Sequence, residues 1–351
     1  MSKPVSLGLI GSGFMALTYA EAIARHCRGA RLAAVAGGRR TPALAAEYGI
    51  AAVPDVDALL ERDDIDAVIV TTPDQVHCEH TLRAASSKKH VLVEKPMAPT
   101  VAQCDRMIAA CREAGVKLAV VKTERYRTLC RKAKQLVESG AIGGICMMRT
   151  ASCYSQEMGR FLLESRPFYA DPQGGGLFMS IASHNADFLL WLCGQPATQI
   201  YARGRTYSDL SAPGQSFMAQ ISFAGGIMAH LWISSEFPAP SLPSSDVRFQ
   251  VIGTQGMLDF ENYEYLDVAR EGKWERVFVP PRFDYLKEPK SAIRLEPHIG
   301  VVQEFVDSIA QNRPPAVGGA EGRAAVEICE ACARSAATQR AVDLPLGPPL
   351  A

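Results

Sequence analysis

No apolar run in this chain approaches the roughly 18 residues that a membrane-crossing helix needs. The amino-terminal apolar stretch, Val5–Ile10, is too short for the core of a signal peptide, and no cleavage site follows it. The expected location is therefore the cytoplasm, with no membrane partner. Charge of one sign is not in excess either. Lys and Arg together number 37, as do Asp and Glu, so no global basic field draws nucleic acid or an anionic surface. The ten cysteines are scattered and form no disulfide framework. Cys329 and Cys332 make one C-x-x-C inside a helical pattern, with no second pair and no histidine nearby. That reads as small buried helix residues, not as a zinc or redox site, and no metal is expected. Internal repeats and low-complexity tracts are absent too, which leaves ordinary globular domains; 351 residues suit two of them.

Strands and helices alternate over the first 120 residues or so. Apolar runs at 5–10, 31–36, 67–71, 90–93 and 116–121 read as buried strands. Helical segments at 42–48, 56–62, 77–86 and 101–114, and one running to about residue 26, lie between them. Strands separated in this way form parallel units with right-handed crossovers, so residues 1–122 are expected to make a dinucleotide-binding α/β domain. The pattern then changes. Helices at 129–139 and 177–193 precede a run of strands at 199–207, 216–223, 227–234, 247–252, 257–260, 265–270 and 274–279, and helices at 298–311 and 319–339 follow. Residues 123–351 are thus expected to form an α+β domain around a large, open, mostly antiparallel sheet. A sheet covered by helices on one face leaves the other to be buried, often by another subunit.

The chemistry begins at Gly11-Ser12-Gly13-Phe14-Met15-Ala16, between the first strand and the first helix. Gly11 permits the tight turn, Gly13 lets a pyrophosphate approach the backbone, and Ala16 allows close helix–strand packing. An acidic residue at the end of the second strand, where it would bind the adenosine ribose, is missing; Gly37-Gly38-Arg39-Arg40 stands there instead. Two arginines without a carboxylate suit a 2′-phosphate, which favours NADP over NAD. Thr71, Thr72 and Pro73 end the third strand, with His77 following, and are placed to line the nicotinamide ribose or the pyrophosphate. Glu94-Lys95-Pro96 ends the fourth, where the carboxyl ends of parallel strands face the ligand crevice. The expected cofactor contacts are therefore Gly11, Ser12, Gly13, Phe14, Met15, Gly38, Arg39, Arg40, Thr71, Thr72, Pro73, His77, Glu94 and Lys95.

The glycine loop, then Thr72-Pro73 with His77, then Glu94-Lys95-Pro96, then Gly174-Gly175-Gly176 leading to His184-Asn185-Ala186-Asp187, resemble together the Gfo/Idh/MocA oxidoreductases, over essentially the whole chain. The resemblance implies a Rossmann domain followed by a domain with a large open sheet that commonly forms homodimers or homotetramers. It implies hydride transfer between NAD(P) and a hydroxyl carbon of a sugar, cyclitol, glycoside or related cyclic diol. It also implies that Lys95 sits beside nicotinamide and substrate hydroxyl, that His184 serves as acid–base or substrate ligand, and that Asp187 supports them. The chain departs from the family pattern at Ser180, where an aspartate is expected four residues before the histidine.

A base must lie within hydrogen-bond reach of the hydroxyl that loses its proton as the hydride leaves. His184 in that role, with Lys95 stabilising the alkoxide, is one assignment, and the reverse is open. Beside Lys95, Ser180 and His184, the substrate contacts are expected from Arg125, after the fifth strand, and Tyr154. Two other readings use the same residues: a glycoside-cleaving enzyme that cycles a tightly bound NAD(P), and a non-catalytic cofactor sensor.

Overall fold

The computed structural model describes residues 3–171, 174–210, 214–240, 242, 247–284 and 287–346. The chain divides into two compact units, Met1–Tyr126 with Phe283–Arg323, and Arg127–Arg282 with Ala324–Ala351.

In the first unit, β1 (Val5–Ile10), β2 (Ala30–Ala36), β3 (Ala51–Val53), β4 (Ala67–Val70), β5 (His90–Val93) and β6 (Leu118–Val120) alternate with helices. These are α1 (Phe14–Arg25), α2 (Thr41–Tyr48), α3 (Val56–Leu60), α4 (His77–Ser86) and α5 (Val101–Ala114). The six strands form a parallel sheet in the order β3-β2-β1-β4-β5-β6. Both faces of such a sheet are covered, so β1 and β4 are buried at every position and read as continuous apolar runs rather than alternating ones. The chain leaves β1 toward β2, then crosses to the other side at β4. The ends of β1 and β4 therefore mark the point where a doubly wound sheet opens a crevice.

In the second unit, α6 (Thr128–Glu138) leads into β7 (Ile145–Ser155), α7 (Gln156–Ser165) and α8 (Gly176–Cys193). The strands β8 (Ala197–Arg205), β9 (Ser216–Phe223), β10 (Met228–Phe237), β11 (Arg248–Gly253), β12 (Gly256–Glu261), β13 (Tyr265–Arg270) and β14 (Lys273–Phe278) follow. The chain then forms α9 (Ala292–Ala310), which belongs to the first unit, followed by α10 (Gly319–Thr338) and a short β15 (Val342–Asp343). The second sheet runs β14-β13-β12-β11-β7-β10-β9-β8-β15. It is antiparallel apart from β7 and β10, which pair in parallel.

Three differences from the sequence expectation have physical causes. The segment 283–323 belongs with the first unit, not with the residues after 122. Val301, Val302, Phe305 and Val306 on α9 share one core with Leu7, Leu9, Tyr19 and Ile69, and this apolar face is where the helix gains its stability. Helix α9 starts at Ala292, before the expected residue 298, because Ser291 caps it, accepting from Arg294 N, and Pro297 is carried inside it. β7 and α7 were not expected, yet β7 lies at the middle of the nine-stranded sheet. Among the described residues no helix is long and apolar enough to cross a membrane.

Candidate active site

In the first unit the glycine turn sits at the crossing between β1 and β4. Gly11 has φ +105, and an ideal Cβ there would lie 2.7 Å from Thr71 Oγ1, so a side chain is excluded twice over. Thr71 itself is tied to the end of β1, its N–H and hydroxyl both donating to Ile10 O at 2.8 and 3.0 Å. Gly13 is the N-cap of α1 and has no side chain to offer the first-turn N–H groups; a Cβ on it would meet nothing within 4 Å. Those N–H groups, at the positive end of the helix, are a donor set for a pyrophosphate. The residues present thus fit a dinucleotide. Phe14 and Met15 open the helix behind them.

The turn after β2 lies against this loop. Gly37 and Gly38 have φ +80 and +92, and a Cβ on Gly38 would press on the Ser12 hydroxyl. Thr41 closes the turn, its hydroxyl donating to Gly37 O at 3.0 Å. Arg39 and Arg40 are exposed, and the first carboxylate along the chain after β2 is Glu47.

The Glu94-Lys95-Pro96 segment is held from two sides. Glu94 is buried, with Oε1 accepting from the Tyr19 hydroxyl at 2.6 Å and Oε2 from the Lys95 N–H at 2.8 Å. Burial above all, then the nearby Glu94 carboxylate, pushes the Tyr19 hydroxyl well above its ordinary range, so it stays protonated and donates. His77 is buried too. Its Nδ1 lies 3.0 Å from Pro96 O and its Nε2 2.8 Å from Thr72 O. His77 and Glu94 are both expected from the sequence among the cofactor contacts. Their polar atoms are turned onto the protein itself, and what they set is the backbone of Thr72 and Lys95. Thr72 has a second partner, its hydroxyl 3.1 Å from His80 Nδ1.

Sequence reasoning missed Tyr19, His80 and also Arg294. Arg294, on α9, is buried, donates to Thr18 Oγ1 at 3.0 Å and carries its guanidinium 4.7 Å over the Phe14 ring. It braces the first turn of α1 and adds positive charge there. Lys122 is a buried lysine two residues past the end of β6, as the half-buried Lys95 is past β5. Arg125 is half-buried, whereas Glu124 beside it is buried.

In the second unit α8 carries Ser180, His184 and Asp187 at the i, i+4, i+7 spacing that places side chains on one helix face. His184 is half-buried and Asp187 is buried. A different face of α8 is fastened to β7 through Asn185, whose Nδ2 donates to Thr150 Oγ1 at 2.6 Å and to Ser152 Oγ at 3.1 Å. This buried polar link fixes the rotation of α8 and hence where the His184 face points. Ser180 is buried and donates to the Tyr169 hydroxyl at 2.9 Å. Tyr169 was not anticipated. Tyr154 is half-buried near the carboxyl end of β7.

Residues 5–122 match the family described as "Oxidoreductase family, NAD-binding Rossmann fold", and residues 130–259 match the "GFO/IDH/MocA C-terminal domain". The chain is 30% identical over 258 residues to a 1,5-anhydro-D-fructose reductase of Ensifer adhaerens, covering 72% of this chain and 74% of that one. It is 25% identical over 355 residues to a myo-inositol 2-dehydrogenase of Thermotoga maritima, covering 96% and 98%. It is similar in structure to the WlbA dehydrogenase from Bordetella pertussis in complex with NADH and UDP-GlcNAcA, with TM-score 0.81, 25% identity, and 98% and 100% of the two chains covered. On these matches the chain belongs to the Gfo/Idh/MocA family of oxidoreductases and carries that family's NAD-binding Rossmann domain.

Proposed function

We propose that this enzyme moves a hydride between NAD(P) and a secondary alcohol or ketone carbon of a cyclic polyol, sugar or glycoside, with Lys95 and His184 acting at the reacting oxygen. The observation that carries this reading is the fastening of Lys95. Its N–H is fixed by a buried carboxylate, and the carbonyl of the next residue by a buried histidine, at the carboxyl end of a Rossmann strand. A surface lysine has no need of that support. Relatives named for acting on myo-inositol and 1,5-anhydro-D-fructose support the substrate class.

The nicotinamide, when bound, accepts or returns the hydride; the α1 amino end and the Gly11–Gly13 turn hold its pyrophosphate. His184 takes the hydroxyl proton, since an imidazole changes charge near neutral pH. Lys95 holds the developing alkoxide by charge-assisted hydrogen bonding. Arg39 and Arg40, exposed on a turn without a carboxylate, take a 2′-phosphate, so NADP is the better substrate of the two dinucleotides.

The test is reduced-nicotinamide absorbance with NAD or NADP and a panel of myo-inositol, 1,5-anhydro-D-fructose, sugars, sugar acids and glycosides. A substrate-dependent signal is expected, stronger with NADP. Lys95→Met and His184→Ala should each lower kcat about 100-fold or more with cofactor affinity retained. Near wild-type turnover in both variants would remove these roles.

We also propose that the exposed face of the second sheet is covered by a second copy of the chain. In register across neighbouring strands, Trp274, Ala269, Met257, Ile252, Met147 and Met228 form an apolar row.

A further inference from the structure

We infer that Tyr169 contacts the substrate, donating its phenolic O–H to a ring hydroxyl beside the one that reacts, and that Ser180 positions it. This rests on the proposed polyol chemistry of the His184 face. Tyr169 lies in a short turn, Pro167–Ala170, that is tied to α8 through its side chain and runs close to the helix start. The hydroxyl accepts from Ser180 Oγ at 2.9 Å. The backbone approaches the helix start at Gly176, which has φ +67 and whose ideal Cβ would stand 3.7 Å from Tyr169 O. Glycine at 176 is called for by its left-handed backbone, which starts α8 beside the turn.

The direction of the hydrogen bond matters. A phenol oxygen both accepts and carries one proton to give. With Ser180 as the donor, that proton is not used in the bond between them. Ser180 is buried, so it draws the half-buried tyrosine hydroxyl toward its own helix face. That face is also the face of His184, one turn on, about 6 Å along the axis. A histidine for the reacting hydroxyl and a donor one turn away suit a substrate with several hydroxyls on one ring. A site built to hydrogen-bond a substrate hydroxyl also rejects analogues that lack it.

Tyr169→Phe removes only the oxygen, and Ser180→Ala only its anchor; Ser180→Thr restores a hydroxyl. The measurements are steady-state kinetics and calorimetric binding of myo-inositol and 1,5-anhydro-D-fructose to the cofactor-loaded protein, with melting temperature and cofactor Kd as controls. Tyr169→Phe is expected to raise KM and Kd for the polyol about 10- to 100-fold, with kcat, melting temperature and cofactor Kd near wild type. Ser180→Ala should shift the same two constants by a smaller factor, and Ser180→Thr should recover them. Unchanged KM in Tyr169→Phe overturns the inference while the proposed function stands. If wild type binds the polyol but does not turn it over, the proposed function fails. Tyr169 is then judged by Kd alone: weaker binding in Tyr169→Phe supports it and equal binding overturns it. A wild type that neither binds nor turns over any polyol overturns both.

Discussion

At Glu94 the geometry leaves no carboxylate oxygen idle: one serves Tyr19 and the other the Lys95 main chain. Glu94→Gln can keep an acceptor toward Lys95 N–H and turn its amide toward Tyr19, whose oxygen also accepts. Glu94→Ala strands both donors in the interior, at about 1–3 kcal/mol for each group left unsatisfied. Urea unfolding should therefore rank wild type above Glu94→Gln above Glu94→Ala, and kcat should fall in the same order as Lys95 loosens. An alanine variant as stable and active as the glutamine one would remove Glu94 from this role. His77 works on the same segment from the other side. Both of its ring nitrogens face carbonyls, so a neutral ring donates to one and an imidazolium to both. The sequence made Lys95 and the glycine turn legible because each obeys a local rule: glycine where φ is positive, a lysine at a strand end. Tyr19 and Ser180's partner Tyr169 were not legible, since their bonds span 75 and 11 residues and no local pattern announces them.

At the scale of elements, the strands of the first sheet were readable because burial on both faces makes them uniformly apolar. β3 was missed because Ala51-Ala52-Val53 offers little β-branched bulk. β7 was missed because Arg149 and the run of Cys and Met residues blur its alternation, although its position between β11 and β10 buries its later half. The entry to β5 carries a consequence for pH. His90 Nδ1 accepts from Lys117 N–H at 3.0 Å, which requires that nitrogen to be unprotonated. Burial first, and then the Lys117 charge, hold its pKa below the ordinary histidine value. Burial does the same for His80 and His230. A histidine with a depressed folded-state pKa binds more protons unfolded. Its stabilising contribution is complete above the unfolded value, about 6.5, and is lost as pH falls below it toward the folded value. The melting temperature should therefore drop between pH 7.5 and 5.5. His90→Asn, which keeps an acceptor without titrating, should drop less than wild type. Equal pH dependence in the two would mean that His90 does not titrate in this range.

For the whole molecule, the two-domain plan was carried by the order of motifs, whereas the assignment of 283–323 was not. A helix that follows a sheet in sequence gives no sign that its apolar stripe completes an earlier core. The open sheet leads to the last expectation. Its apolar row crosses six neighbouring strands, a span of about 24 Å at the usual strand spacing. Trp274, Met228, Met147 and Met257 within it are 57%, 56%, 44% and 39% exposed. The next row is polar, and part of it is already satisfied: Arg276 pairs with Asp267 at 2.6 and 2.8 Å, and Arg248 grips Asp259 from the adjacent row at 2.8 and 3.0 Å. The sheet face is thus apolar along one line and self-paired beside it, the arrangement of an interface stripe with a polar rim. A second copy related by a twofold would bring the same row against itself, so like charges placed in it oppose each other. Met147→Glu with Met228→Glu should weaken self-association about 100-fold or more while leaving the melting temperature of the separated protomer nearly unchanged, because both positions are exposed. Sedimentation equilibrium decides the matter. A wild type that stays monomeric at tens of micromolar, or a double variant that associates as wild type does, would place the partner of this face elsewhere.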